Sequence, residues 1–221
     1  MYYLIETKNQ LNRFFKDEGN ECYLQFITNN DEVHPKLQSL CALYIYSFSK
    51  EKGFIINLNH PEAFELNLPL DYLKSYTNIF VKEKTKALLH IPQLPYTDIQ
   101  SIYYLLKNEP LDPLPKTAAH TFYERKFGAN NVNKIIPIAK HYEALTQEFT
   151  ALNPYITNYK SEASNKWYNE ILTPTLAKMV SEGFKINGDF QKHFDIKEKF
   201  SIEDSKIYGW YNFCTTTGRP T

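Results

Sequence analysis

Glycine and cysteine are scarce in this chain, and neither sign of charge is in excess. Only 7 of 221 residues are glycine and no Ser/Gly-rich tract occurs, which excludes a disordered chain or a long flexible linker. Cys22, Cys41 and Cys214 lie far apart with no CxxC pair. A disulfide framework and a structural zinc site are therefore not expected; three reduced thiols in a cytoplasmic protein are. Lys plus Arg and Asp plus Glu each number 25, so net charge does not mark a strongly basic nucleic-acid binder. A local basic patch stays open. No apolar run approaches about 18 residues, and no membrane span is expected. The N-terminus "MYYLIETKNQLNRFFKDEG" lacks the basic and apolar regions of a signal peptide. The six histidines form no HxH or HExxH pattern. His34 and His60, each before a proline, read as turn residues.

What the chain has in quantity is core material, at 43% hydrophobic and 15% aromatic residues. A short strand, a Thr7 N-cap and a helix burying Leu11, Phe14 and Phe15 open it. "ECYLQFIT" is a strand by its aromatic and β-branched content. "SLCALYIYSFS" and "KGFIINLN" read as two more strands joined by a tight hairpin. "PLDYLKSY" is a short helix, "NIFVKE" a fourth strand, and "TDIQSIYYLLK" a helix with Ile99, Ile102, Leu105 and Leu106 on one face. The alternating Tyr44, Tyr46 and Phe48 offer a base-stacking stripe, although one wall of a core is the simpler reading. "KEKTK", Lys82 to Lys86, offers a phosphate contact or a solvated helix start.

The second half reads as mostly helical. "KTAAHTFYERKFG" is a helix that Gly128 ends, and "IIPIAKHYEALTQEFTAL" a helix that Asn153 and Pro154 end. A long helix follows through "SEASNKWYNEILTPTLAKMVSEG", kinked at Pro174 and stopped by Gly183. A last strand runs from Lys206 to Thr215. This order of elements is a mixed α/β pattern.

The closing "TTTGRPT" resembles the T-x-TGR-x-S/T segment that joins thumb to palm in family A DNA polymerases, the DNA polymerase I family of bacteria and many phages. Upstream, "ILTPTLAKMVSEGFKING" resembles that family's P-L-x-x-x-L-x-x-M-E-x-x-G-x-x-I/V-D helix and turn. The two stand in the family's order, with a spacing too short for a normal-length thumb. The first half then resembles the family's 3′–5′ exonuclease domain, a ribonuclease-H-like fold with a mixed sheet, and "TDIQSIYYLL" resembles its D-T-x-x-x-x-Y-L-L helix. The resemblance implies an exonuclease-like domain over residues 1–155. Over 156–221 it implies a helical segment and a terminal strand that begin the thumb and palm.

Such an exonuclease carries D-x-E on its first strand, where alternate residues share a face, and further acids on two later segments. Together they hold two metal ions on the scissile phosphate. Here "CYLQFIT" puts Gln25 and Phe26 where acids are needed, and no two carboxylates in the chain stand two residues apart. The second acidic segment corresponds to "VKEKTKALLH", dominated by lysines. The late-helix signature Y-x-x-x-D-A corresponds to "AKHYEAL", with Glu143 at the acid position. Asp31 and Glu32, just after the first strand, are candidates for partial compensation.

The resemblance implies a degenerate, inactive exonuclease-like domain in a DNA-replicating polymerase. It places Arg219 in the primer-end minor groove, with Thr215 and Thr217 alternating toward the backbone phosphates. The palm aspartates that use magnesium are not found before Thr221. The expected partners are a DNA primer-template and a palm-and-fingers polypeptide or continuation, in a host cytoplasm if phage-encoded. Two other readings stand beside it: a non-catalytic scaffold for a replication complex, and an active 3′–5′ exonuclease with unconventional acids.

Overall fold

The computed structural model describes residues 2–29, 38–107, 111, 123–124, 134–158, 166–185, 201–203 and 206–208. Strand β1 (Leu4–Ile5) leads into α1 (Lys8–Lys16). Thr7 caps α1 as the sequence predicts, in a capping box: its hydroxyl accepts from the Gln10 N–H, and Gln10 reaches back to the Thr7 N–H. Then come β2 (Glu21–Thr28), β3 (Leu40–Ser47) and β4 (Lys52–Asn57), paired as antiparallel neighbours. The β3–β4 turn uses Glu51 at φ 53, the left-handed region that lets the hairpin close.

The short helix α2 (Leu70–Leu73) precedes β5 (Asn78–Val81), α3 (Lys84–His90), β6 (Tyr96–Asp98) and α4 (Ile99–Lys107). Strand β6 is not legible in the sequence, because its three residues run directly into α4. The strands form one six-stranded mixed sheet in the order β1-β4-β3-β2-β5-β6. β2 sits inside it, antiparallel to β3 and parallel to β5. Every β2 residue after Glu21 is buried, so both faces of the sheet are covered. Leu24, Leu43, Ile45 and Ile56 pack on one face with α1 residues Leu11 and Phe14. Tyr23, Ile27, Tyr44 and Ile55 pack on the other with Leu145, Phe149 and Leu152 of α5 (Ile138–Thr157).

α5 begins just after Pro137 and does not stop at Pro154: it continues to Thr157. Proline in a last turn forfeits one hydrogen bond, and the packing beyond it compensates. Ile156 is buried, and Tyr155 meets Tyr103 of α4 edge-on at 4.9 Å. A second departure lies at β7 (Tyr123–Glu124), which pairs antiparallel with β8 (Lys134–Ile135) inside a stretch expected to be helical.

Residues 166 and 167 are helical, 168–172 form a π-helical turn, and α6 (Thr173–Glu182) follows. The irregularity thus precedes Pro174 instead of kinking the helix at it. Gly183 ends α6 at φ 63, as expected. β9 (Phe184–Lys185), β10 (Ser201–Glu203) and β11 (Lys206–Tyr208) make a small antiparallel sheet in the order β10-β11-β9. No helix among the described residues is long and apolar enough to cross a membrane.

Candidate functional site

Alternation along β2 sends Tyr23 and Gln25 toward α5, and Leu24 and Phe26 to the opposite face. Phe26, one of the two positions where the sequence called for an acid, lies in the other core, 5.2 Å from the His90 ring. Tyr23 takes its place beside Gln25.

The two meet a single carboxylate. The Tyr23 hydroxyl donates to Glu148 Oε1 at 2.9 Å, and Gln25 Nε2 donates to the same oxygen at 3.0 Å. Gln25 Nε2 also lies 2.8 Å from the Tyr23 hydroxyl oxygen, closing a triangle. The other oxygen, Glu148 Oε2, accepts from Lys82 Nζ at 2.9 Å. The Glu148 side chain is 5% exposed and that of Lys82 26%, so this ion pair is shielded on the acid's side. Burial above all, and then the Glu148 charge, raise the Tyr23 pKa well beyond its ordinary value. The phenol stays a donor. Phe149, next to Glu148, stacks on Tyr46 at 3.7 Å and tilts against Tyr23 at 5.3 Å, roofing the cluster with rings.

Glu143, the expected late-helix acid, is exposed and is not brought to Gln25. Five residues along an α-helix turn about 140° away from Glu148. The signal for Glu148 was present in the sequence. It falls among the buried stripe of Ile138, His141, Leu145, Leu152 and Ile156, where a charged residue needs a partner. Lys82, from the cluster at 82–86, is that partner rather than a solvated or phosphate-facing residue. Arg219, Thr217 and Thr215 lie outside the described residues, as do Asp31 and Glu32. The Tyr44–Phe48 stripe is core: Tyr44 is fully buried, and Phe48 lies edge-on to Phe80 at 6.1 Å. His60 is a buried turn residue whose Nε2 pairs with the Ile136 carbonyl at 3.0 Å.

No protein-family model and no curated protein matches this chain by sequence. Solved structures do match in fold. A nuclease in its apo form superposes with a TM-score of 0.50 at 11% identity, covering 89% of this chain and 97% of the other. Escherichia coli RNase D, an exoribonuclease involved in structured RNA processing, gives 0.46 at 13% identity, covering 81% of this chain. This chain spans 51% of that protein's length. Brucella melitensis NrnC with bound Mg2+ gives 0.47 at 12% identity, with 89% and 96% covered. The fold is the ribonuclease-H-like one of 3′–5′ exonuclease domains. Identities this low speak to fold and not to chemistry.

The residues present do not fit the pair of divalent ions that such an exonuclease uses. Of the β2 residues facing α5, Tyr23 is a neutral phenol, Gln25 a neutral amide and Ile27 apolar. α3, with the sequence KTKALLH, holds no carboxylate. Both oxygens of Glu148 are engaged, one of them by an ammonium. Among the described residues no group of three or more His, Cys, Asp or Glu could hold a metal ion.

Proposed function

We propose that this chain is a catalytically inactive exonuclease-like module of a family A DNA polymerase, carrying the beginning of the thumb and palm. One observation carries the inactivity. Lys82 holds the one acid that faces β2 from α5, while Tyr23 and Gln25 supply hydrogen bonds instead of metal ligands. A protonated amine satisfies a carboxylate but cannot bridge to a phosphate oxygen or activate water as a divalent ion does. The polymerase context rests on "TTTGRPT" and on the helix motif ending at Gly188. In that context the partners are primer-template DNA and a palm-and-fingers polypeptide or continuation, and magnesium serves the palm.

Two measurements test this reading. Purified protein should leave labelled single-stranded DNA and RNA intact with magnesium or manganese, and manganese should not move its Tm. A metal site filled at a hundred times its Kd would add about 2.7 kcal/mol, a shift easily seen. Metal-dependent degradation that Glu148→Gln abolishes would establish the active exonuclease instead. Mixed with a family A palm-and-fingers polypeptide, the chain should support primer extension, and Arg219→Ala should slow it most from mismatched ends. No association and no extension would leave an inactive scaffold outside any polymerase.

A further inference from the structure

A second buried polar cluster lies away from Glu148, where α3 and β6 meet the π-helical turn at 168–172. Asp98, 1% exposed at the end of β6, accepts the Lys84 N–H at 2.8 Å and the Ser101 N–H at 3.1 Å. Its backbone N–H donates to Asn169 Oδ1 at 2.8 Å. The Lys84 ammonium donates to the Asn169 carbonyl at 2.7 Å. Lys84 and Asn169 are 8% and 7% exposed, so these bonds form out of water.

The need for that ammonium is written in the sequence five residues on. In the π turn the Thr173 N–H goes to the Tyr168 carbonyl, and the Thr173 hydroxyl joins it at 2.7 Å. The same i+5 pattern would bring the N–H of residue 174 to the Asn169 carbonyl. Residue 174 is proline and has none to give. Lys84, from a different element, supplies a donor in its place. A buried lysine is costly unless it is well bonded. Here burial lowers the Lys84 pKa, while the nearby Asp98 and Glu170 favour its charge.

We propose that Lys84 and Pro174 are a matched pair forming a latch, by which the exonuclease-like sheet holds the helix at 166–182 in one fixed seat. The latch has two arms: ammonium to main-chain carbonyl, and Asn169 amide oxygen to the Asp98 N–H. Leu176, Ala177 and Val180 of α6 bury the apolar remainder of the seat. The inference stands apart from the polymerase reading, because it concerns only how this helix is fixed to this sheet.

Hydrogen exchange of the full chain, resolved by peptide, tests it. Lys84→Met keeps the length of the side chain and removes the donor. It should speed exchange across 166–182 by about ten- to thirty-fold while β2 to β5 change little. Asn169→Ala should do the same by releasing the other arm. Pro174→Ala returns a backbone N–H, so it should slow exchange in 166–182 by several-fold more in the Lys84→Met background than in the native one. An equal effect of Pro174→Ala in both backgrounds would overturn the pairing. Exchange that rises equally in sheet and helix, or not at all, would overturn the latch.

Discussion

At the scale of single residues, the cluster around Glu148 shows what a buried carboxylate requires of its neighbours. A lone buried carboxylate is destabilising unless charge and hydrogen bonds compensate it. Tyr23 and Gln25 do so from β2, and Lys82 from the residue after β5. Lys82→Met should therefore destabilise the fold by about 1–3 kcal/mol, less than for a fully buried pair because the lysine is partly in water. Glu148→Gln keeps an amide oxygen for the Tyr23 hydroxyl and should cost less. The double variant should be more stable than Lys82→Met alone, since it leaves no charge behind. Urea denaturation of the three variants measures the order. A double variant that falls below Lys82→Met would show that Glu148 contributes something other than its charge.

At the scale of elements, close approaches decide what a strand tolerates. Gly53 in β4 is the diagonal neighbour of Tyr44 across the β3–β4 ladder. A Cβ there would stand 2.4 Å from the Tyr44 hydroxyl oxygen. That ring is fully buried and its hydroxyl shares a 3.0 Å hydrogen bond with Thr146 of α5, so it has nowhere to swing. Gly53→Ala should cost about 1–3 kcal/mol, and Tyr44→Phe in the same chain should recover part of it by removing the oxygen. A Gly53→Ala protein with unchanged Tm would mean that the ring moves freely. The same scale shows what the sequence made legible. β2, β3, β4, α1 and the capped Thr7 follow from local pattern and turn chemistry. β6 is too short for a pattern, and α5 crosses Pro154 because tertiary packing on Tyr103 and the sheet outweighs one missing hydrogen bond. The placement of Gln25 on β2 could be read because strand patterning is local. Tyr23, Lys82 and Glu148 could not be assembled the same way, since their meeting depends on how α5 crosses the sheet.

At the scale of the whole molecule, four buried or partly buried groups among the described residues shift how stability responds to pH between about 4 and 7, and they pull in opposite directions. Burial raises Asp98 to about 6, against hydrogen bonds from Ser101 and Lys84. Burial raises Glu83 to about 7, with Asp98 adding to the rise and Lys86 and Lys82 opposing it. Between their ordinary values and these raised ones the folded protein holds protons that the unfolded chain has released. Both carboxyls therefore make stability fall as pH rises through about 4 to 7. The histidines act the other way. Burial lowers His90 to about 4, helped by Lys86, and burial also lowers His60. Below about 6.5 the unfolded chain gains protons that these rings refuse, so their contribution to stability rises with pH from about 4 to 6.5. The native profile should thus be shallow across this range by cancellation. Removing one contributor should expose it. Glu83→Gln is close to isosteric with the protonated acid, so at pH 5 its Tm should lie near the native value. At pH 8 the native chain must fold with Glu83 charged, and the variant should melt a few degrees higher. Thermal denaturation of both proteins at the two pH values measures the difference of differences. A Tm gap that does not widen toward pH 8 would mean that Lys82 and Lys86 already balance the charge of Glu83, and that its burial does not govern its titration.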